Sequence, residues 1–182
     1  MAHIIGSIAA EYTRYRKLGE GALAQLTDKE LCQKPAGDGN SIATLVWHLA
    51  GNLESRFTDF LTADGEKPWR DRESEFAARS VGREEVTSKW NRGWQALFSA
   101  IGGLNDAQLD STVTIRGQSL SVLDALLRSL SHTSFHVGQM VFLAKSIRGA
   151  GWEYLTIPPG QSASYNLNPT MEKAPKDVTR KR

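Results

Sequence analysis

Two histidines, His132 and His136, lie four residues apart in a segment whose apolar spacing predicts one long helix from Val122 to Arg148. Four residues make about one helical turn, so both imidazole rings project from the same helix face. Two imidazoles placed in this way can bind one metal ion, and imidazole suits zinc, nickel, copper and iron. A single histidine on such a face is more often a hydrogen-bonded core residue, but the pair favours a metal site.

A third histidine, His48, lies on the flank of another strongly apolar helix. We expect it to join His132 and His136 in a helical bundle, and three neutral nitrogens at one point would favour a divalent ion such as zinc or nickel. Structural zinc sites usually have four protein ligands, whereas catalytic sites keep one position open. Three candidate ligands therefore predict an open site. The alternative is that His48 never reaches the pair.

Two amides are candidates for roles beside the metal. Asn52 lies one turn after His48, and Gln139 follows His136 by three residues. They could orient the ligands or a substrate, or they could simply face solvent. No carboxylate can be assigned as a general base from spacing, and Thr133 stands where the helix motif of zinc proteases has its glutamate. We therefore expect the nucleophile to be a small molecule from solution.

The elements that must position these residues are four amphipathic helices with apolar residues at three- and four-residue steps. A short hairpin is predicted before the last helix. The polar stretch between the second and third helices, residues 66–80, is long for a simple loop and could cross the bundle, so that the third helix runs parallel to the second. The pattern predicts an all-α four-helix bundle with a long crossover between helices two and three. The predicted helices cover approximately residues 2–26, 41–63, 83–103 and 122–148.

Composition narrows the function classes. No apolar run approaches the roughly 18 residues of a membrane-spanning helix, and a lone cysteine, Cys32, excludes an internal disulfide and fits a reducing cytoplasm. The formal net charge of +2 conceals a basic C-terminal segment: residues 170–182 carry five basic and two acidic side chains, so the body is slightly acidic. This balance does not indicate a nucleic-acid partner. We expect a bundle domain over residues 1–168 and a disordered basic tail over residues 169–182.

Two sequence motifs, taken together and in this order, resemble the DinB-like (DinB/YfiT) metalloenzyme superfamily. They are SIATLVWHLAGN at residues 41–52 and HTSFHVGQ at residues 132–139. Two further segments, residues 52–60 and 64–71, resemble a bacterial branch of that group whose function is unassigned. The likeness covers approximately residues 1–168.

The resemblance implies a four-helix bundle, often a homodimer, with a divalent metal held by His48, His132 and His136. Characterised members include transferases and isomerases that use a low-molecular-weight thiol such as bacillithiol or mycothiol, which the metal activates. The expected function is thus a metal-dependent thiol S-transferase or a hydrolase acting on a small molecule. The alternative is a metal-stabilised binding or stress-response protein without turnover, which would have a fourth protein ligand or a sealed site.

Overall fold

The computed structural model describes residues 3–172, and most of these residues are helical. Four long helices dominate: α1 (Ile4–Ala24), α3 (Ile42–Phe57), α4 (Arg83–Gly102) and α5 (Val122–Arg148). The short helix α2 (Asp28–Leu31) lies between α1 and α3, and the short helix α6 (Ser162–Asn166) follows α5. There are 3-10 turns at Glu73–Phe76, Asp106–Gln108 and Gly149–Gly151. The prediction of a mainly helical chain is confirmed.

Two of the four long helices begin at a serine that caps the first turn with its side chain. Ser41 Oγ accepts the backbone N–H of Thr44 at 3.1 Å, and Ser121 Oγ accepts that of Asp124 at 3.0 Å. Each hydroxyl satisfies one of the amide groups that the first turn of a helix leaves without a partner. These two caps fix the starts of α3 and α5, the helices that carry the three histidines.

The second predicted helix is shorter than its apolar stripe indicated. It ends at Phe57 and not near Ala63, because Thr58 is extended (ψ 126°) and Asp59 has a positive φ of 49°. Aspartate tolerates this left-handed conformation better than most residues. The backbone N–H of Ala63 then donates to the carbonyl of Asp59 at 2.9 Å, which closes a turn in place of further helix.

The predicted hairpin is present as β1 (Thr112–Ile115) and β2 (Gln118–Ser121), which pair antiparallel. Its two turn residues, Arg116 and Gly117, both have positive φ, as a tight two-residue hairpin turn requires. Their backbone N–H groups donate to the carboxylate of Asp64 at 2.8 Å each. The hairpin is thereby attached to the segment that follows α3.

One apolar core lies between the four long helices. Trp90 and Trp94 of α4 are fully buried in this core. The rings of Tyr12 and Trp94 pack edge to face, with their centroids 6.3 Å apart. The helices α3 and α4 approach closely at Gly93, where an added Cβ would lie 2.6 Å from the Cα of Ala50. No helix between residues 3 and 172 is both long and apolar enough to cross a membrane.

Contacts between the helix ends give their directions. The Tyr12 hydroxyl donates to the Leu126 carbonyl near the start of α5, and Gln25 after α1 bonds to Glu153 after α5, so these two helices run in the same direction. Arg83 at the start of α4 donates to Leu23 at the end of α1, so α4 runs the opposite way. Residues 58–82 therefore bring the chain from the end of α3 to the start of α4, beside the end of α1.

The basic tail predicted for residues 169–182 lies mostly outside the described residues, which end at 172. The first part of it makes local contacts: the backbone N–H groups of Thr170 and Met171 donate to the hydroxyl of Tyr165 at 2.9 and 2.6 Å. The domain division at residue 168 stays a prediction.

Candidate metal centre

The three predicted ligands lie together. His132 and His136 project from one face of α5, and His48 faces them from α3. The Nε2 atom of His132 lies 3.3 Å from Nε2 of His48 and 3.1 Å from Nε2 of His136. All three Nε2 atoms point to one place, although His48 and His132 are 84 residues apart in the chain.

This spacing suits three ligands of one metal ion. Zinc binds histidine nitrogen at about 2.0–2.1 Å in tetrahedral geometry, which places two ligand nitrogens about 3.3 Å apart. His48, His132 and His136 form a group whose ligand atoms all lie within 4.8 Å of one another. The cluster could therefore hold a metal ion, and its donor set alone does not identify which one.

The other ring nitrogens are held in a way that leaves two Nε2 lone pairs free. His48 Nδ1 donates to Glu75 Oε2 at 2.9 Å, and His136 Nδ1 donates to Gln139 Oε1 at 2.9 Å. A hydrogen bond on Nδ1 fixes the neutral tautomer whose Nε2 can bind a metal, as in the carboxylate–histidine–metal arrangement of many metalloproteins. Nδ1 of His132 is buried and has no hydrogen-bond partner among the described residues.

Glu75 is a site residue that the sequence did not reveal. It lies on the 3-10 turn Glu73–Phe76, inside the stretch predicted to be a polar connection, and it is only 5% exposed. A Cβ on Gly51 would clash with its carboxylate, so the glycine in the middle of α3 makes room for it. The only available signal was that glycine, which lies three residues after His48 on the same helix face.

Arg70 binds the same carboxylate from the other side. Its Nε and Nη2 atoms donate to Glu75 Oε1 and Oε2 at 2.8 and 3.0 Å. Burial alone would raise the pKa of Glu75, but the hydrogen bonds from His48 and Arg70 outweigh it and lower the pKa. Glu75 is therefore a carboxylate at neutral pH, able to hold the His48 ring in place.

The two predicted amides have different positions. Asn52 is half-buried and lines a cavity beside His48 and His132. Gln139 is exposed and contacts the site through its hydrogen bond to His136. Gln139 can therefore orient the ring of His136, and Asn52 can contact a molecule bound in the cavity. Both roles stay predictions.

The histidines sit in an environment that disfavours a proton. Burial, followed by the neighbouring His136 and His48, lowers the pKa of His132 to about 3. Burial also lowers the pKa of His136, although its bond to Gln139 acts in the opposite direction. Metal binding needs neutral imidazole, and here desolvation lowers the pKa of both rings and so favours their neutral form.

The depressed pKa of His132 predicts an acid sensitivity of the metal-free protein. Above pH 6.5 the His132 ring is neutral in both the folded and the unfolded chain, so it contributes nothing to the pH dependence of stability. Below pH 6.5 the unfolded chain binds a proton at this ring and the folded chain does not, so the free energy of unfolding falls as the pH falls. Urea unfolding from about pH 6.5 to 5, above the range where carboxylates titrate, should show this loss. His132→Ala should flatten the slope, and an unchanged slope would contradict the assignment.

A cavity of about 230 Å³ opens beside the histidines. His48 and His132 form part of its wall, and Phe57, Phe60 and Ala125 give it an apolar side. Five arginines also line it: Arg56, Arg70, Arg72, Arg116 and Arg128. A ligand in this space would contact the histidine cluster directly.

The fold and the site together define a helical protein in which three histidines could hold one metal ion. The chain belongs to the DUF1572 family, described as a protein of unknown function, whose model matches residues 2–161. It is also similar to a solved structure, the conserved protein of a locus from Enterococcus faecalis. The two chains share 18% identity with a TM-score of 0.63, over 82% of this chain and 99% of that one. At that identity the likeness supports the fold alone. No curated protein matches the chain.

Proposed function

We propose that this protein is a DinB-like metalloprotein in which His48, His132 and His136 hold one divalent ion, zinc or nickel, for the activation of a low-molecular-weight thiol or of water. The reaction would be an S-transfer to a small electrophile or a hydrolysis. The observation that carries the proposal is the convergence of three Nε2 atoms at ligand spacing.

The helical architecture supports the DinB-like assignment. Four long helices surround one core, α1 and α5 run in the same direction, and α4 runs against them. A long connection separates α3 from α4 and contributes Glu75 to the site. We accordingly propose that the chain is a four-helix bundle with the crossover between its second and third long helices.

The surroundings of the histidines support an open site over a sealed one. The cluster of potential ligands contains three histidines and no fourth metal-binding side chain among residues 3–172. His48 and His132 both reach the wall of the cavity, so a small molecule can approach them. This favours the enzyme over the non-catalytic metal-stabilised protein, which would need a closed coordination shell.

In the proposed reaction, the metal ion and the protein side chains have different roles. A bound divalent ion would lower the pKa of a thiol or a water molecule so that it is deprotonated near neutral pH. Glu75 and Gln139 orient the rings of His48 and His136, and the apolar wall near Phe57 excludes water from one side of the cavity. The single cysteine of the chain, Cys32, contacts Val81 and does not line this cavity, so the thiol in this proposal comes from solution.

Spectroscopy of the cobalt-loaded protein tests the proposal. We expect about one Co²⁺ per chain and, on addition of 2-mercaptoethanol, a new sulfur-to-cobalt absorption band, because three protein ligands leave a position for sulfur. Thiols should then be screened with electrophiles, and esters screened without thiol, for turnover. A spectrum unaffected by any thiol, together with no turnover of either kind, would overturn the proposal in favour of the non-catalytic alternative.

The remaining expectations are also proposals. We propose a cytoplasmic homodimer that takes a small-molecule substrate and does not bind nucleic acid or membranes. Bacillithiol or a related thiol is the cofactor that the DinB-like resemblance implies. Size measurement in solution tests the dimer directly.

A further inference from the structure

The cavity beside the histidines is cationic, although the chain outside its C-terminal segment has almost no net charge. Five arginines line it, and its lining includes no aspartate or glutamate. Charge clustered in this way focuses a positive potential into a concave space. The net charge of the sequence therefore conceals the most strongly charged feature of the site.

Two of the arginines, Arg70 and Arg56, are the inner arginines of the cavity, and both are paired with carboxylates. Arg70, with a side chain 2% exposed, is bonded to Glu75. Arg56 forms two hydrogen bonds of 3.1 Å to Glu66. These pairs are buried or half-buried and form part of the scaffold, so they do not account for binding of an outside anion.

The other three arginines of the cavity, Arg72, Arg116 and Arg128, are the outer arginines, and they are paired less completely with carboxylates. Arg116 shares Glu66 with Arg56, and Arg72 contacts the exposed Glu73. Arg128 is exposed and makes no hydrogen bond or ion pair with the described residues. Three carboxylates pair with these five guanidinium groups, and that of Asp64 accepts the backbone N–H of Arg116 nearby, which leaves one positive charge in excess at the cavity.

Two of the cavity arginines lie on the same helix faces as histidines of the cluster. Arg128 precedes His132 by four residues on α5, and Arg56 follows Asn52, which follows His48, at four-residue steps on α3. Residues at these steps share one helix face. A group bound at Arg128 therefore lies about one helical turn from the histidine cluster.

We infer that the cavity binds a small organic anion, whose carboxylate or phosphate group is held at the mouth by Arg128 with Arg72 and Arg116, while its uncharged part lies against the apolar wall toward the histidines. The inference rests on the proposed function, since it names the class of molecule brought to the metal. Arginine presents a planar fork that matches carboxylate and phosphate oxygens. The volume is below the roughly 300 Å³ at the lower end of ordinary ligand sites, which fits a small molecule.

The anion site can be tested without any metal, so that its failure is separate from failure of the proposed function. Inorganic phosphate and succinate should be titrated calorimetrically into chelator-treated protein at low salt, with succinamide as the neutral counterpart of succinate. We expect saturable binding of at least one of the two anions and none of succinamide. The phosphate and succinate titrations distinguish the two anionic groups.

Substitutions of Arg128 test whether the anion binds at the predicted place in the cavity. Arg128→Gln should weaken anion binding about tenfold, the effect of one lost charge-assisted hydrogen bond, and Arg128→Lys should weaken it less. The matched control is Arg92→Gln on α4, which removes another exposed arginine charge, one that pairs with Glu54 of α3 outside the cavity. Arg128 has no hydrogen-bond or ion-pair partner between residues 3 and 172, so its loss should leave the melting temperature unchanged. Equal binding by Arg128→Gln and Arg92→Gln, or no saturable binding, would overturn the inference.

A matched pair of thiols tests whether the anion and the metal act on one molecule. In the cobalt-loaded protein, 3-mercaptopropionate should produce the sulfur band at a concentration about tenfold lower than its neutral amide, 3-mercaptopropionamide. Arg128→Gln should remove that preference and retain the band. Equal concentrations for the two thiols in the unmodified protein would overturn the link between the anion site and the metal, while a band with either thiol would still support the proposed function.

Discussion

His132→Ala is expected to reduce bound metal from about one ion per chain to nearly none after dialysis, because only two imidazoles would remain. His132 is the central ligand of the three: its Nε2 lies within 3.3 Å of the Nε2 atoms of both other rings. His136→Ala should have the same effect. Elemental analysis of the purified and dialysed variants measures the loss.

The control for this experiment lies next to the ligand. Ser131 is exposed on the same helix, and its hydroxyl donates to the carbonyl of Leu127. Ser131→Ala should keep both the helix and the metal, so it shows whether an alanine at this point of α5 has a general effect. Equal metal content in His132→Ala and the unmodified protein would exclude the three-histidine centre.

Glu75→Ala is expected to lower the free energy of unfolding by about 3 kcal/mol and to weaken metal binding about 10- to 100-fold. The first effect follows because Arg70 would remain buried with only the carboxylate of Glu66, 3.9 Å away, to balance its charge. The second follows because His48 would lose the group that fixes its ring. Urea unfolding of the metal-free variant and a metal competition titration measure the two effects separately.

Glu73 supplies the comparison for Glu75. It lies on the same 3-10 turn but is 86% exposed, and its pair with Arg72 is a surface ion pair. Glu73→Ala should change stability by less than about 0.5 kcal/mol and leave metal affinity unaltered. If the two variants behaved alike, the carboxylate of Glu75 would have no special role in the site.

The sequence predicted the parts of the structure that depend on local periodicity and spacing. The stripes of apolar residues gave the four long helices, and the serines at 41 and 121 marked the starts of α3 and α5. The four-residue interval between His132 and His136 fixed their shared face. His48 was brought into the same group by its place on a helix that had to bury its apolar stripe.

What the sequence could not give depends on contacts between distant segments. Glu75 looked like one of several charges in a polar connection, and only the packing of that segment on α3 brings it to His48. The end of α3 was misplaced because the apolar stripe continues through Phe60, which is buried in the turn that follows the helix. The arginines of the cavity come from four separate stretches of chain, so their clustering has no signature in local composition.

The separation of His48 and His132 along the chain makes the histidine cluster a cross-link as well as a binding site. An ion shared by residues 84 positions apart would close a loop as long as many disulfides close, in a chain whose single cysteine cannot form one internally. By the chain-entropy estimate for such a loop, the constraint on the unfolded state is worth about 4–5 kcal/mol if the metal stays attached to both segments. Chelation would then lower the free energy of unfolding by up to that amount without loosening the folded cavity, because a cross-link of this kind acts by limiting the unfolded chain, and α3 and α5 remain packed in the same apolar core.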